Sequence, residues 1–212
     1  MRGWLNKMEK TMLTLYDFPE SGNSWKIRQI IKTLDIPCKI VPLDGLSGES
    51  HSEEFKKKNV DERLPALELP DGTVLAESGA ILWYLAKGSE LSSDDPLEET
   101  EILRWMFFEQ NRIVATIAVV RFCILYLVEE KRDKSFEDVL RKRGAGALKV
   151  MNSHLKNNDY FAANRFTIAD IALYAYSHVA GEAGLELSHF PNILRWIKRV
   201  EERERFIPFT ER

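Results

Sequence analysis

The chain has 212 residues, 44% hydrophobic and 30% charged, ordinary proportions for a globular protein with room for one large domain or two small ones. A formal net charge of −3 argues against a nucleic-acid protein, which needs a basic surplus to neutralise phosphates. Cys38 and Cys123 form neither a CxxC nor a metal-ligand pattern, so a disulfide scaffold and a metal site are not expected and a reducing cytoplasm is.

The opening stretch, MRGWLNKMEKTM, lacks the apolar core of a secretory leader and reads as a frayed extension, with Met8 or Met12 as alternative starts. Met12 to Tyr16 reads as a short buried strand. Asp17 to Asn23 is a loop, and Ser24 is placed to cap the helix that follows. Ile27, Ile30, Ile31 and Leu34 give that helix one apolar face, and Pro37 is expected to stop it. Cys38 to Leu43 is strand-like. Ser52 to Asn59 suits a short polar helix. Ala66 to Leu69 and Val74 to Ala76 flank Asp71-Gly72, a hairpin signal. A helix from about Glu77 to Lys87 completes the order β-α-β-α-β-β-α, which suits a small mixed sheet covered by helices.

Gly88 to Pro96 reads as a linker, so the first domain is 12–87 and the linker 88–96. From 97 to 206 no strand is expected. The helical stretches are Leu97 to Val128, Phe136 to Asn157 with Gly144 and Gly146 as weak points, Thr167 to Ala180, and Pro191 to Arg205. The most membrane-like run, Ile113 to Val128, is shorter than the roughly 20 residues of a spanning helix and carries Arg121, so it reads as a core helix.

Several strings in this order resemble the glutathione transferase superfamily, and the resemblance runs from Met12 to Phe206. In the first half they are LYDFPESGNSWKIR, then RLP, then ES before a helix. In the second they are WMFFEQ, FTIADIALY and FPNILRWIKRV. The resemblance implies an α/β thioredoxin-like domain (βαβαββα) followed by an all-α domain. It implies reduced glutathione as co-substrate with no metal, a small electrophilic substrate, no nucleic-acid or membrane partner, and a homodimer of the bacterial, cytosolic type.

The resemblance also distributes roles. Ser21 stands where serine-type members carry the activating hydroxyl. A thiol has a pKa of about 8.5, and a hydroxyl donor at a helix N-terminus favours the thiolate. Asn23 and Ser24 are further candidates for the same sulfur, while Ser21 and Ser24 also suit plain turn and cap roles. Leu64, held by a cis Pro65, would bond the cysteinyl backbone as an added strand. Glu77 would take the γ-glutamyl ammonium, and Ser78 its carboxylate at a helix start. Arg63 would pair with the glycyl carboxylate, helped by His51 or Ser50. The electrophile would meet Phe18, Trp105, Phe108, Glu109 and Arg112, with Glu109 or Gln110 alternatively serving a dimer contact. Lys26 and Arg28 are expected on the solvated face and flank of the first helix, with Arg28 suited to a structural ion pair. Asp170 is expected to close a capping box with Thr167.

The departures from the family pattern are specific. Asn59-Val60 replaces the usual Asn-Pro, which makes the loop prediction less firm without removing a ligand. The serine-pair signature of the isomerase class is absent, and no cysteine occupies positions 21, 23 or 24, which disfavours the thiol-transferase class. Glycine is usual where Ala163 stands, and Asn164 beside it better suits a left-handed turn. The function implied is addition of the glutathione thiol to electrophilic or peroxide substrates. The alternatives are a glutathione-dependent reductase, dehalogenase or isomerase, and a non-catalytic interaction module.

Overall fold

The structure, a computed structural model, describes residues 12–209, so the opening extension lies outside the described residues apart from Met12. The chain divides into two compact units, one running to Asp94 and resuming at Glu204, the other spanning Asp95–Arg203.

The first unit is built on a mixed sheet of order β2-β1-β3-β4. β1 (Leu13–Asp17) buries every second residue, so Leu13, Leu15 and Asp17 face inward. It pairs in parallel with β2 (Cys38–Pro42), which requires a crossover, and antiparallel with β3 (Ala66–Glu68). β3 turns into β4 (Val74–Leu75) through Pro70 to Thr73. There Gly72 takes φ 86° and Asp71 accepts the Thr73 N–H at 2.9 Å, the chemistry expected of Asp-Gly.

α1 (Gly22–Leu34) is the crossover helix. It begins earlier than expected: Ser21, not Ser24, is the N-cap, its hydroxyl accepting the Ser24 N–H at 3.4 Å. It ends before Pro37, at Asp35 in a left-handed conformation. Its burial is not confined to one face. Trp25, Lys26 and Arg28 are buried along with Ile27 and Ile30.

Trp25 is covered by the C-terminal tail, which belongs to this unit. Trp25 donates to the Ile207 carbonyl at 2.9 Å, Gln29 accepts the Ile207 N–H at 2.8 Å, and Phe206 and Phe209 lie against the Trp25 ring. The helical domain therefore does not extend to 206 as expected. α2 (Glu53–Lys58) is capped by Ser52, and α3 (Ser78–Ala86) follows Glu77.

The second unit is all-helical. Asp95 caps α4 (Pro96–Phe108), with Pro96 in the first turn, where its missing N–H costs nothing. The rod continues without a break. Through Glu109–Ala118 it widens to i→i+5 hydrogen bonding, then tightens again into α5 (Val119–Tyr126).

α6 (Lys134–His154) runs straight through Gly144 and Gly146. Gly144 is a contact rather than a weak point. A Cβ there would stand 3.1 Å from both Thr116 Oγ1 and Ile117 Cγ1 of the widened segment. α7 (Ile168–Ser177) is buried at every position, and Thr167 and Asp170 form the expected capping box. Asp170 also accepts from Trp196 Nε1 at 2.9 Å and the Phe161 N–H at 3.2 Å, so its role is structural. α8 (Pro191–Glu201) buries Ile193, Trp196, Ile197 and Val200, the stripe read from the sequence. Among the described residues no helix is long and apolar enough to cross a membrane.

Candidate functional site

The residues around the start of α1 have distinct environments. Ser21 is half-buried. Its oxygen accepts the long cap bond, and its proton has no acceptor among the described residues. Ser24 is fully buried. Its hydroxyl accepts the Phe18 N–H at 3.1 Å and favours the charged form of the Asp17 carboxylate. Asp17 in turn bonds Arg28 at 2.5 Å, and Arg28 also donates to the Pro19 carbonyl at 3.0 Å. Burial pushes the Asp17 carboxyl above its ordinary value, while Arg28 and Ser24 hold it down. Ser24 therefore braces the loop from inside.

Asn23 and Lys26 bring two distant motifs together. Lys26, expected on a solvated face, is fully buried. Its Nζ donates to Asn23 Oδ1 at 2.9 Å and lies 3.4 Å from Ser78 Oγ. Ser78 Oγ in turn donates to Asn23 Oδ1 at 3.4 Å. The starts of α1 and α3 are thus stitched side by side, with their unpaired N–H groups at one place, a setting that favours anions. The Asn23 Nδ2 has no acceptor among the described residues. A sequence signal for Lys26 existed: it is three residues after Asn23, one turn away on the same helical side.

The Leu64–Pro65 peptide is cis. Leu64 precedes β3, and no backbone hydrogen bond among the described residues uses its N–H or C=O. The preceding loop lacks a proline at 60. Buried Asn59 fastens it from within, donating Nδ2 to the Arg63 carbonyl at 2.9 Å and accepting the Asp61 N–H at 3.2 Å.

Arg63 and Glu77 are exposed, and Glu77 holds φ 65°. His51 is exposed and bonded through Nδ1 to Glu62 at 2.8 Å, and this bond, with Lys56 nearby, holds the Glu62 carboxyl below its ordinary value. Ser50 is buried. The residues around Ser21 thus offer unspent donors to a thiolate, and Leu64, Glu77 and Ser78 offer backbone and charge to a peptide. The set fits a small anionic thiol peptide.

Of the electrophile candidates, Phe18 is half-buried in the first unit. In the helical unit Trp105 is a core residue, its ring meeting Phe108, His154 and Phe161 edge-on at 4.7 to 5.1 Å. It is too enclosed to line a pocket. Glu109 is buried as well. Phe108 is half-buried, and exposed Arg112 lies over its ring at 5.8 Å.

The sequence matches the family description "Glutathione S-transferase, N-terminal domain" over residues 11–87 and "Glutathione S-transferase, C-terminal domain" over residues 113–204. The fold superimposes on a crystal structure of glutathione S-transferase from Pseudomonas fluorescens with a TM-score of 0.89 and 42% identity, covering 94% of this chain and 99% of that one. The chain belongs to the glutathione S-transferase family. Its family relatives include glutathione S-transferase D7 of Drosophila melanogaster, 26% identical over 89% of this chain and 84% of that protein. They also include elongation factor 1-gamma of the same organism, 26% identical over 88% of this chain but only 43% of that longer protein.

Proposed function

We propose that the chain is a glutathione transferase that binds reduced glutathione across the first unit and activates its thiol at the start of α1. The observation that carries this reading is the junction of Asn23 and Ser78 through Lys26. It sets the residues suited to the sulfur beside those suited to the γ-glutamyl end. The cysteinyl backbone adds to Leu64 as a short antiparallel strand. The Glu77 carboxylate takes the γ-glutamyl ammonium and the N-terminus of α3 its carboxylate. Arg63, with His51 as a weaker neighbour, meets the glycyl carboxylate.

Ser21 donates its free proton to the sulfur, joined by the Asn23 amide and the positive end of the α1 dipole. These interactions favour thiolate over thiol. The thiol proton passes to solvent. The sulfur lone pair then forms a bond to an electrophilic carbon, and the displaced electron pair leaves with the leaving group. The electrophile is apolar, and in the helical unit Phe108 and Arg112 are the side chains proposed to meet it. The working form is a homodimer.

The test is retention on immobilised glutathione together with the ultraviolet absorbance of bound thiolate as pH is varied. A transferase holds the tripeptide and shows thiolate well below pH 8.5. Absence of both would favour the non-catalytic interaction module.

A further inference from the structure

We propose that Lys26 is a positioning residue of this site, acting through Asn23 and Ser78 to fix the groups that meet the sulfur and the γ-glutamyl carboxylate. The inference rests on the transferase reading above and deepens it.

A lysine is among the side chains least often fully buried, because its charge must be stripped of water. Lys26 is fully buried, amid the apolar Trp25, Ile27 and Ile30 of its own helix. A position needed only for packing would be filled at less cost by leucine or methionine. What the ammonium supplies instead is direction. It has three donors and no acceptor. At 2.9 Å from Asn23 it can face only the carbonyl oxygen of that amide. Rotating the amide by half a turn would set an NH₂ against an NH₃⁺. Lys26 therefore selects one orientation of Asn23, the one that leaves Nδ2 free to donate.

The same ammonium orders Ser78. With Nζ on one side of Ser78 Oγ and Asn23 Oδ1 on the other, both at 3.4 Å, the hydroxyl accepts from the lysine and donates to the amide. Its proton is thereby spent within the protein. The Ser78 backbone N–H, at the first turn of α3, is left for a carboxylate. The triangle thus sorts donors: those facing inward are satisfied, and those facing the ligand are free and fixed. Asp17 and Arg28 are bonded to each other, and Glu77 is exposed.

The test is a titration of the enzyme-bound glutathione thiol by its thiolate absorbance in wild type, Lys26→Met, Asn23→Ala and the double variant. Lys26→Met should raise the bound-thiol pKa by about one unit, a tenfold loss of thiolate below it. It should also weaken glutathione binding several-fold. In the Asn23→Ala background the same substitution should move the thiol pKa no further, because its action runs through the amide. Lys26→Gln carries the same expectation if the methionine variant does not fold, since its amide no longer discriminates the two ends of Asn23. An unchanged pKa in a folded Lys26 variant overturns the role of Lys26 alone. So does an equal rise in both backgrounds, which would mean a direct effect of charge. A wild type without bound thiolate overturns the transferase reading and this inference with it.

Discussion

Ser21→Ala and Ser24→Ala should separate cleanly, although the two serines are one helical turn apart. A hydrogen bond to a charged group contributes about 1.5–3 kcal/mol, and each pKa unit corresponds to about 1.36 kcal/mol. Removing the Ser21 donor should therefore raise the bound-thiol pKa by about one to two units. Its structural role is small. The cap bond it accepts is long, 3.4 Å, so its loss should cost only about 0.5 kcal/mol of stability, the low end for a cap.

Ser24 reverses the pattern. Its buried hydroxyl accepts the Phe18 N–H at 3.1 Å and favours the charged Asp17 carboxylate, so alanine leaves a buried N–H without its acceptor. That should cost about 2–3 kcal/mol of unfolding free energy while leaving the thiol pKa unmoved. Urea unfolding measures the first quantity and thiolate absorbance against pH the second. A Ser24→Ala protein of wild-type stability with a raised thiol pKa would refute the division of roles drawn from burial.

Ala163 and Asn164 both hold left-handed backbone, at φ 54° and 51°, so Ala163→Gly relieves a strain of about 1–2 kcal/mol less the entropy glycine adds. The net gain, about 0.5–1 kcal/mol, should appear as a higher midpoint in thermal unfolding. Glu137 is bonded by Arg132 at 2.7 Å and Arg141 at 2.9 Å, and these guanidinium groups hold its carboxyl down to about 2. The unfolded chain thus binds its proton first, so the stability this cluster supplies is complete above about pH 4.5 and is lost as pH falls toward 2. Glu137→Gln should flatten the acid limb of stability against pH, and an unaltered limb would count against the linkage. Deleting the tail from Arg205 uncovers Trp25 and removes the tail's bonds to Trp25 and Gln29. This should cost about 2–3 kcal/mol and shift Trp25 fluorescence to the red, and wild-type stability would show the tail to be dispensable.

The elements were legible where hydrophobic period and turn chemistry agreed. The Ile193, Trp196, Ile197, Val200 stripe, the Asp71-Gly72 turn and the Thr167–Asp170 capping box could each be read from a few adjacent residues. What escaped depended on residues far apart in the chain. Lys26 looked solvated because its helix was judged by its own apolar face. The tail that encloses Trp25 is some 180 residues away, and Ser78, which Lys26 meets, is 52 residues away. Trp105 looked like a pocket wall because aromatic spacing does not distinguish a cavity from a core. His154 and Phe161, which enclose it, come from other elements. Asn59 shows the same limit: without the proline the loop was harder to read from sequence, and the buried amide that fastens it to Arg63 shows only in the fold.

The candidate site owes its chemistry to how hydrogen bonds are shared between inside and outside. Within one turn of α1, Ser24 bonds inward to Phe18, Asn23 bonds inward through its oxygen alone, and the Ser21 hydroxyl keeps its proton. The resulting order, one group spent, one half-spent and one free, follows from the helical position of each side chain and not from residue type, since two of the three are serines. Pre-set donors of this kind need no reorganisation when charge arrives, and so favour thiolate over thiol more than mobile donors in water do. The strength of the transferase reading therefore lies less in any single motif than in this internal bonding, which leaves Ser21 and Asn23 with donors for a ligand.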